Sequence, residues 1–163
     1  MAFAEKTSVP VDKSRADVEA TLRRYGASMF FSGWDEHEGK AFIAFKMTDR
    51  HVKLTMPLPR RDDPEITTYK DQWGRKKDRT TASAAAEYDQ RLRSRFRSLL
   101  LVVKAKLESV EAKIETFEQA FLAHIVLPDN TLVGDRMKAI LDDAYRTGKI
   151  GLPAPGESEV HDA

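Results

Sequence analysis

The chain has 163 residues, 41% of them hydrophobic and 33% charged, with 27 basic and 26 acidic side chains for a net charge of +1. That composition fits one core of ordinary size and excludes a disordered chain. There is no cysteine, which excludes disulfides and thiolate metal sites and fits the cytoplasm, where the protein is expected to reside.

Met1–Pro10 shows no periodicity and no basic stretch leading into an apolar run, so a loose arm without a secretory signal is expected there. Residues 13–25 read as a helix, with Asp12 or Ser14 as cap, Val18, Leu22 and Tyr25 on one face, and Gly26 as its stop. Three strands follow. Met29–Trp34 comes first, then a polar loop at Asp35–Gly39, then Ala41–Met47 with Phe42, Ala44 and Lys46 alternating against Ile43, Phe45 and Met47. After a turn at Thr48–Arg50, His51–Leu58 places Val52, Leu54, Met56 and Leu58 on one side, the period of two of a half-buried strand. Pro57 and Pro59 end the ladder. Residues 59–80 read as a long, irregular, basic loop, a length that usually carries function or disorder.

From Thr81 the spacing becomes helical. Tyr88, Leu92, Phe96, Leu99, Val103, Leu107 and Val110 recur every three or four residues, and neither glycine nor proline intervenes between Gly74 and Pro128. Phe96, Leu99, Val103 and Leu107 are expected to be buried against the sheet. Leu99–Val103 is the longest apolar run, five residues against the ~20 that span a membrane, so no membrane contact is expected. Five apolar residues in a row cover the whole helix circumference, so Leu101 needs a cover of its own. Within the chain the last helix, through Met137, Ile140 and Leu141, or the first, through Val18 and Leu22, can supply it; the last helix is expected to, leaving a monomer, and a homodimer through Leu101 is the alternative. Thr116 and Gln119 fit a capping box for a helix over Phe117–His124. Ile125–Leu127 and Thr131–Val133 can pair about a turn at Pro128–Asn130, and a last helix runs over Asp135–Arg146, with Met137, Ile140, Leu141 and Ala144 on one face and Gly148 as its stop. The order defines an α+β domain over residues 1–150: an N-terminal helix, a three-stranded antiparallel meander packed on a long central helix, then two shorter helices. Residues 151–163 read as a disordered acidic tail.

The runs VPVDKSRADVEATLRRYGA, FIAFKM, LLLVVKAKLESVE, FEQAFLAHIVLPDN and the later VGD give most of residues 9–135 a resemblance to a family of uncharacterised proteins encoded by phages and prophages. The resemblance implies a phage-related origin. It brings no catalytic or binding residue with it, and residues 59–80 lie outside it.

Charge is unevenly spread. Residues 59–113 hold 14 basic and 9 acidic side chains, net +5, while residues 114–163 hold 4 and 9, net −5. Arg60, Arg61, Lys70, Arg75, Lys76, Lys77 and Arg79 crowd the long loop around Trp73, and Arg91 and Arg95 follow on the helix. Guanidinium groups suit phosphates, and an aromatic ring in a basic loop gives a base something to stack on. These ten residues are the candidate nucleic-acid contacts. The competing expectation is that arginine stems line the helix shoulders and pair with Glu87, Asp89 and the acidic C-terminal third. Asp35, Glu36, His37 and Glu38 share one loop without further ligands to converge on a metal. Phosphate-cradling, nucleophile-elbow and zinc-hydrolase motifs are missing. No metal, cofactor or catalytic residue is therefore expected. The reading is a phage-type accessory protein that binds nucleic acid without catalysis, single-stranded DNA in recombination or replication being one case. The alternative is a module that binds a host protein as inhibitor or adaptor.

Overall fold

Period-two patterning from Met29 onward folds as an antiparallel meander, and the long helical repeat that follows lies against it. The computed structural model describes residues 4–35 and 37–149. Helix α1 (Val11–Arg24) leads into strands β1 (Met29–Asp35), β2 (Lys40–Met47) and β3 (Arg50–Pro57), ordered β1-β2-β3 in one sheet. A single helical turn α2 (Pro64–Thr67) and a small hairpin of β4 (Thr68–Lys70) and β5 (Lys76–Asp78) precede the long helix α3 (Thr81–Glu111). Then come α4 (Phe117–Phe121), a 3-10 turn (Leu122–His124) and α5 (Val133–Thr147). The chain is α+β, and no helix among the described residues is long and apolar enough to cross a membrane. Glu36 and the tail from Gly151, expected to be disordered, lie outside the described residues.

The pleat sorts the sheet. Ala41, Ile43, Phe45 and Met47 of β2 and Val52, Leu54 and Met56 of β3 are buried on the inner face. Their core includes Leu99, Leu100, Val103 and Leu107 of α3, Val18 and Leu22 of α1, and Phe117, Ala120 and Phe121 of α4. Phe121 meets Phe45 edge-on at 5.6 Å between ring centroids and lies 4.9 Å from Phe117.

Chain-direction signals hold with one exception. Helix α1 begins at Val11 behind Pro10 and has no side-chain cap; Ser14, a suggested cap, is instead fully buried inside the helix. Pro10, at φ −59°, already has the backbone angle a helix start requires. At the other end the Gly26 N–H donates to Arg23 O and the Ala27 N–H to Leu22 O, the paired bonds of a Schellman stop, with Gly26 at φ +91°. Lys113 takes the same left-handed position after α3, at φ +58°, with its N–H on Val110 O and that of Ile114 on Ser109 O. Thr80 caps α3 by accepting from the Ser83 N–H, and the Thr116–Gln119 capping box opens α4. The pairing expected after α4 shrinks to a single bridge, Val126 with Leu132, while Ile125 bridges to Val52 on the free edge of β3.

Four further expectations are corrected. The N-terminal arm is not loose over residues 4–9: Ala4 is buried, and the Gln90 side chain on α3 donates to Glu5 O and Thr7 O. Phe96 is half-buried rather than buried. The apolar turn is not wrapped all round: Leu99, Leu100 and Val103 are buried, Leu101 is half-buried and Val102 is exposed. Nor does the last helix cover Leu101. On the wheel Leu101 lies within about 40° of Arg97, which pairs with Asp17 at 3.5 Å, and of Glu108, which accepts from the Tyr25 hydroxyl at 3.3 Å, so its flank is that of α1. Helix α5 buries no residue and packs on the 3-10 turn, where a Cβ at Gly134 would sit 2.7 Å from Ala123 O.

Phe121→Ala should cost about 3–5 kcal/mol, because its ring is fully enclosed. Ile114→Ala, at 76% exposure past the break in the helix, should stay within about 0.5 kcal/mol of wild type. Urea unfolding of the two variants checks both values; similar losses would misplace the core.

Candidate nucleic-acid interface

The segment expected to be irregular is a built structure. Pro64 occupies the first turn of α2, where its missing N–H is not needed, and the Ile66 and Thr67 N–H groups donate to Asp63 O. Ile66 is buried, and α2 packs on α3. From there β4 pairs antiparallel with β5: Thr68 opposite Asp78, Tyr69 opposite Lys77, Lys70 opposite Lys76. The Arg79 N–H donates to Thr67 O at 2.7 Å and closes the base of the hairpin.

Asp71 organises the tip. One carboxylate oxygen accepts from the backbone N–H groups of Trp73 and Arg75, both at 2.9 Å, and the other from Arg75 Nε at 3.0 Å. Lys77 Nζ stands 3.6 Å from that second oxygen. Gly74 supplies the left-handed residue of the turn, at φ +77°. Burial works against the Asp71 charge, but the N–H groups of Arg75 and Trp73 and the Arg75 and Lys77 side chains outweigh it, and the carboxyl is held below its usual pKa. Trp73 is left 67% exposed, with the Arg75 guanidinium 4.7 Å from its ring centroid.

Nine of the ten candidate residues divide into two groups, and Arg95 stands apart. Arg60 makes a two-pronged contact with Asp62, both bonds at 3.1 Å. Arg79 is half-buried, 3.5 Å from Glu87 and beside the Tyr69 ring. Arg91 reaches Glu87 at 2.8 Å and Glu65 at 2.9 Å, and the Glu87 bond is the first cause of its raised pKa. The Arg61 guanidinium lies 4.1 Å from the centroid of the Tyr88 ring. Arg61, Arg79 and Arg91 dock the segment onto α3 while Arg60 closes locally on Asp62, so the expected pairing with Glu87 is found for Arg79 and Arg91, and among the described residues the acidic C-terminal third takes no part in it. Lys70, Trp73, Arg75, Lys76 and Lys77 come together on the hairpin. Among the described residues Lys70 and Lys76 have no carboxylate within 4.0 Å. Arg95 is exposed on α3 and likewise has none, but it belongs to the helix rather than the hairpin.

Asp71 was not among the sequence candidates, although an aspartate two residues before Trp73–Gly74 is the signal of a side-chain-closed turn. The outward face of the large sheet was also passed over. It bears Phe31 and Phe42, and the period-two pattern that assigned Ile43 and Phe45 to the core assigns Phe42 to the other side. No group of three or more histidine, aspartate or glutamate side chains among the described residues is placed to hold a metal ion. His124 is half-buried on the 3-10 turn, where burial and then nearby Lys106 lower its pKa. Comparison of the chain with family models, with curated proteins and with solved structures finds no match.

The Asp71 turn has a pH signature. Its folded pKa lies below its unfolded one, so the stabilisation is complete above the ordinary aspartate range, about pH 4, and disappears as pH falls through the folded value. Amide chemical shifts of Trp73 and Arg75 should therefore hold at neutral pH and move toward random-coil positions on acidification, and Asp71→Ala should produce that shift at every pH. Unmoved shifts in the variant would show that the tip stands without the carboxylate.

Proposed function

We propose that the protein is a phage-type accessory protein that binds nucleic acid through the β4–β5 hairpin and does not act on it chemically. One observation carries the reading: Lys70 and Lys76 face each other across the strands of an exposed hairpin without a carboxylate partner among the described residues. Like charges directly opposite destabilise a hairpin, and phosphates offset that cost. Arg75 and Lys77 add charge at the same tip, and exposed Trp73 adds a ring for a base. A two-stranded ribbon also has the dimensions to enter a major groove. The resemblance of most of residues 9–135 to phage and prophage proteins supports a setting in a bacterial cytoplasm, with recombination or replication intermediates as targets. We take the protein to act as a monomer.

A second reading rests on a different surface. Helix α5 leaves Met137 and the 50% exposed Leu141 open beside exposed Leu122, over a cleft of about 630 Å³. A host protein bound there would make the chain an inhibitor or adaptor.

Mobility shift with single- and double-stranded DNA tests the first reading. Changing Lys70, Lys76 and Lys77 together to Ala should weaken binding to every sequence and lower the salt slope by up to about three, near one per lost phosphate contact. Trp73→Ala should cost about 1–3 kcal/mol on single strands and less on duplex. Leu141→Glu should leave nucleic-acid affinity and stability unchanged; a loss of affinity there would move the interface to α5.

A further inference from the structure

We infer that the outer face of the β1-β2-β3 sheet is a second contact surface, on which Phe31 and Phe42 stack bases of a single strand while Lys46 and Lys53 meet its phosphates. The inference rests on the nucleic-acid reading above and names the form of ligand it requires.

The register places the residues. Phe31 stands opposite Ala44 and Phe42 opposite Gly33, so the two rings are diagonal neighbours, roughly 7–8 Å apart, with small residues facing each. A half-solvated sheet ordinarily fills its wet face with polar side chains. Here β1 turns Met29 and Phe31 outward, and Phe31 is 56% exposed. Phe42 is held in place from two sides. Its ring fills the space above Gly33, where a Cβ would lie 2.9 Å from ring carbons, and Lys53 Nζ sits 5.0 Å from its centroid.

Charge selects the occupant. The outward strand positions carry Lys40, Lys46 and Lys53 against one carboxylate, Asp35, at the far end beside Lys40. Lys40 is engaged by Glu38 at 3.1 Å, and Lys46 lies 3.5 Å from a solvent-exposed Asp49, a pairing of little strength. Lys53 has no carboxylate within 4.0 Å among the described residues. A groove of about 630 Å³ continues the face past Phe31, Lys46, His51 and Lys53 to Val126 and Leu127 beyond the edge of β3. Rings lying on a shallow sheet reach bases only when these are splayed out of a helix, so the ligand is single-stranded DNA or RNA rather than duplex.

Fluorescence anisotropy of labelled oligothymidylate, and of a duplex of equal length, tests the assignment on the full chain. Phe31→Ala and Phe42→Ala should each weaken single-strand binding about ten-fold, Phe31→Tyr should restore most of it, and duplex affinity should stay near wild type. Lys53→Ala should weaken single-strand binding and flatten its salt dependence. Because Phe31 is half in water, thermal unfolding of Phe31→Ala should match wild type, which separates a lost contact from a lost fold. Single-strand affinity unchanged in both phenylalanine variants overturns the stacking surface and leaves the hairpin reading standing. An equal loss on duplex also overturns it. A wild-type chain that binds neither probe overturns both.

Discussion

The seam between α3 and the inner face of the sheet is where most of the other elements find their support. Leu99, Leu100, Val103 and Leu107 come from three turns of one helix and share a core with Ile43, Phe45, Val52 and Leu54. None of these elements is stable alone: a three-stranded sheet with one bare apolar face needs a cover, and a helix of 31 residues needs a stripe to bury. Once they meet, two flanks of α3 remain. Helix α1 takes one, with Arg97 on Asp17 and the Tyr25 hydroxyl on Glu108. The other receives α2 near its start and α4 near its end, with Arg91 on Glu65 and Lys106 Nζ donating to Ala120 O. The arginines beside the apolar stripe thus act first as splints between elements.

That use of charge narrows the chemistry left for a partner. A basic segment whose cations are all matched internally is neutral in effect, and much of residues 59–97 is of this kind. The hairpin departs from it. Asp71 spends its carboxylate on shaping the tip, using two backbone N–H groups, and so neutralises Arg75 and Lys77 only in part while holding Trp73 outward. A rigid tip with a projecting ring loses little conformational entropy when it binds.

Much of this architecture was legible because its signals are local. Period two over residues 41–58, helical spacing from Tyr88 to Val110, the capping box at Thr116 and the stop at Gly26 each depend on a few neighbouring residues. The departures are non-local. The hairpin inside residues 59–80 was hidden because β4 and β5 are three residues each, too short to show alternation, and are held by Asp71 and by Ile66 beneath α3. Leu101 went to the wrong cover because the wheel gives its direction and not the identity of its neighbour; Arg97 and Glu108 supplied that only once their partners were known. The cations were legible as a cluster, but which were already matched depended on Glu65 and Glu87, whose positions only the fold brings near.

The bridge from Ile125 to Val52 has a further consequence. A sheet edge that shows unmatched N–H and C=O groups invites pairing with another copy of itself. On β3 the chain leaving the 3-10 turn comes back to that edge, and the Val126 N–H donates to His51 O at 2.8 Å. Residues 125–126 therefore act as a selvedge, finishing the woven side of the sheet at His51 and Val52. A chain cut before Ile125 would leave that stretch of the edge unmatched.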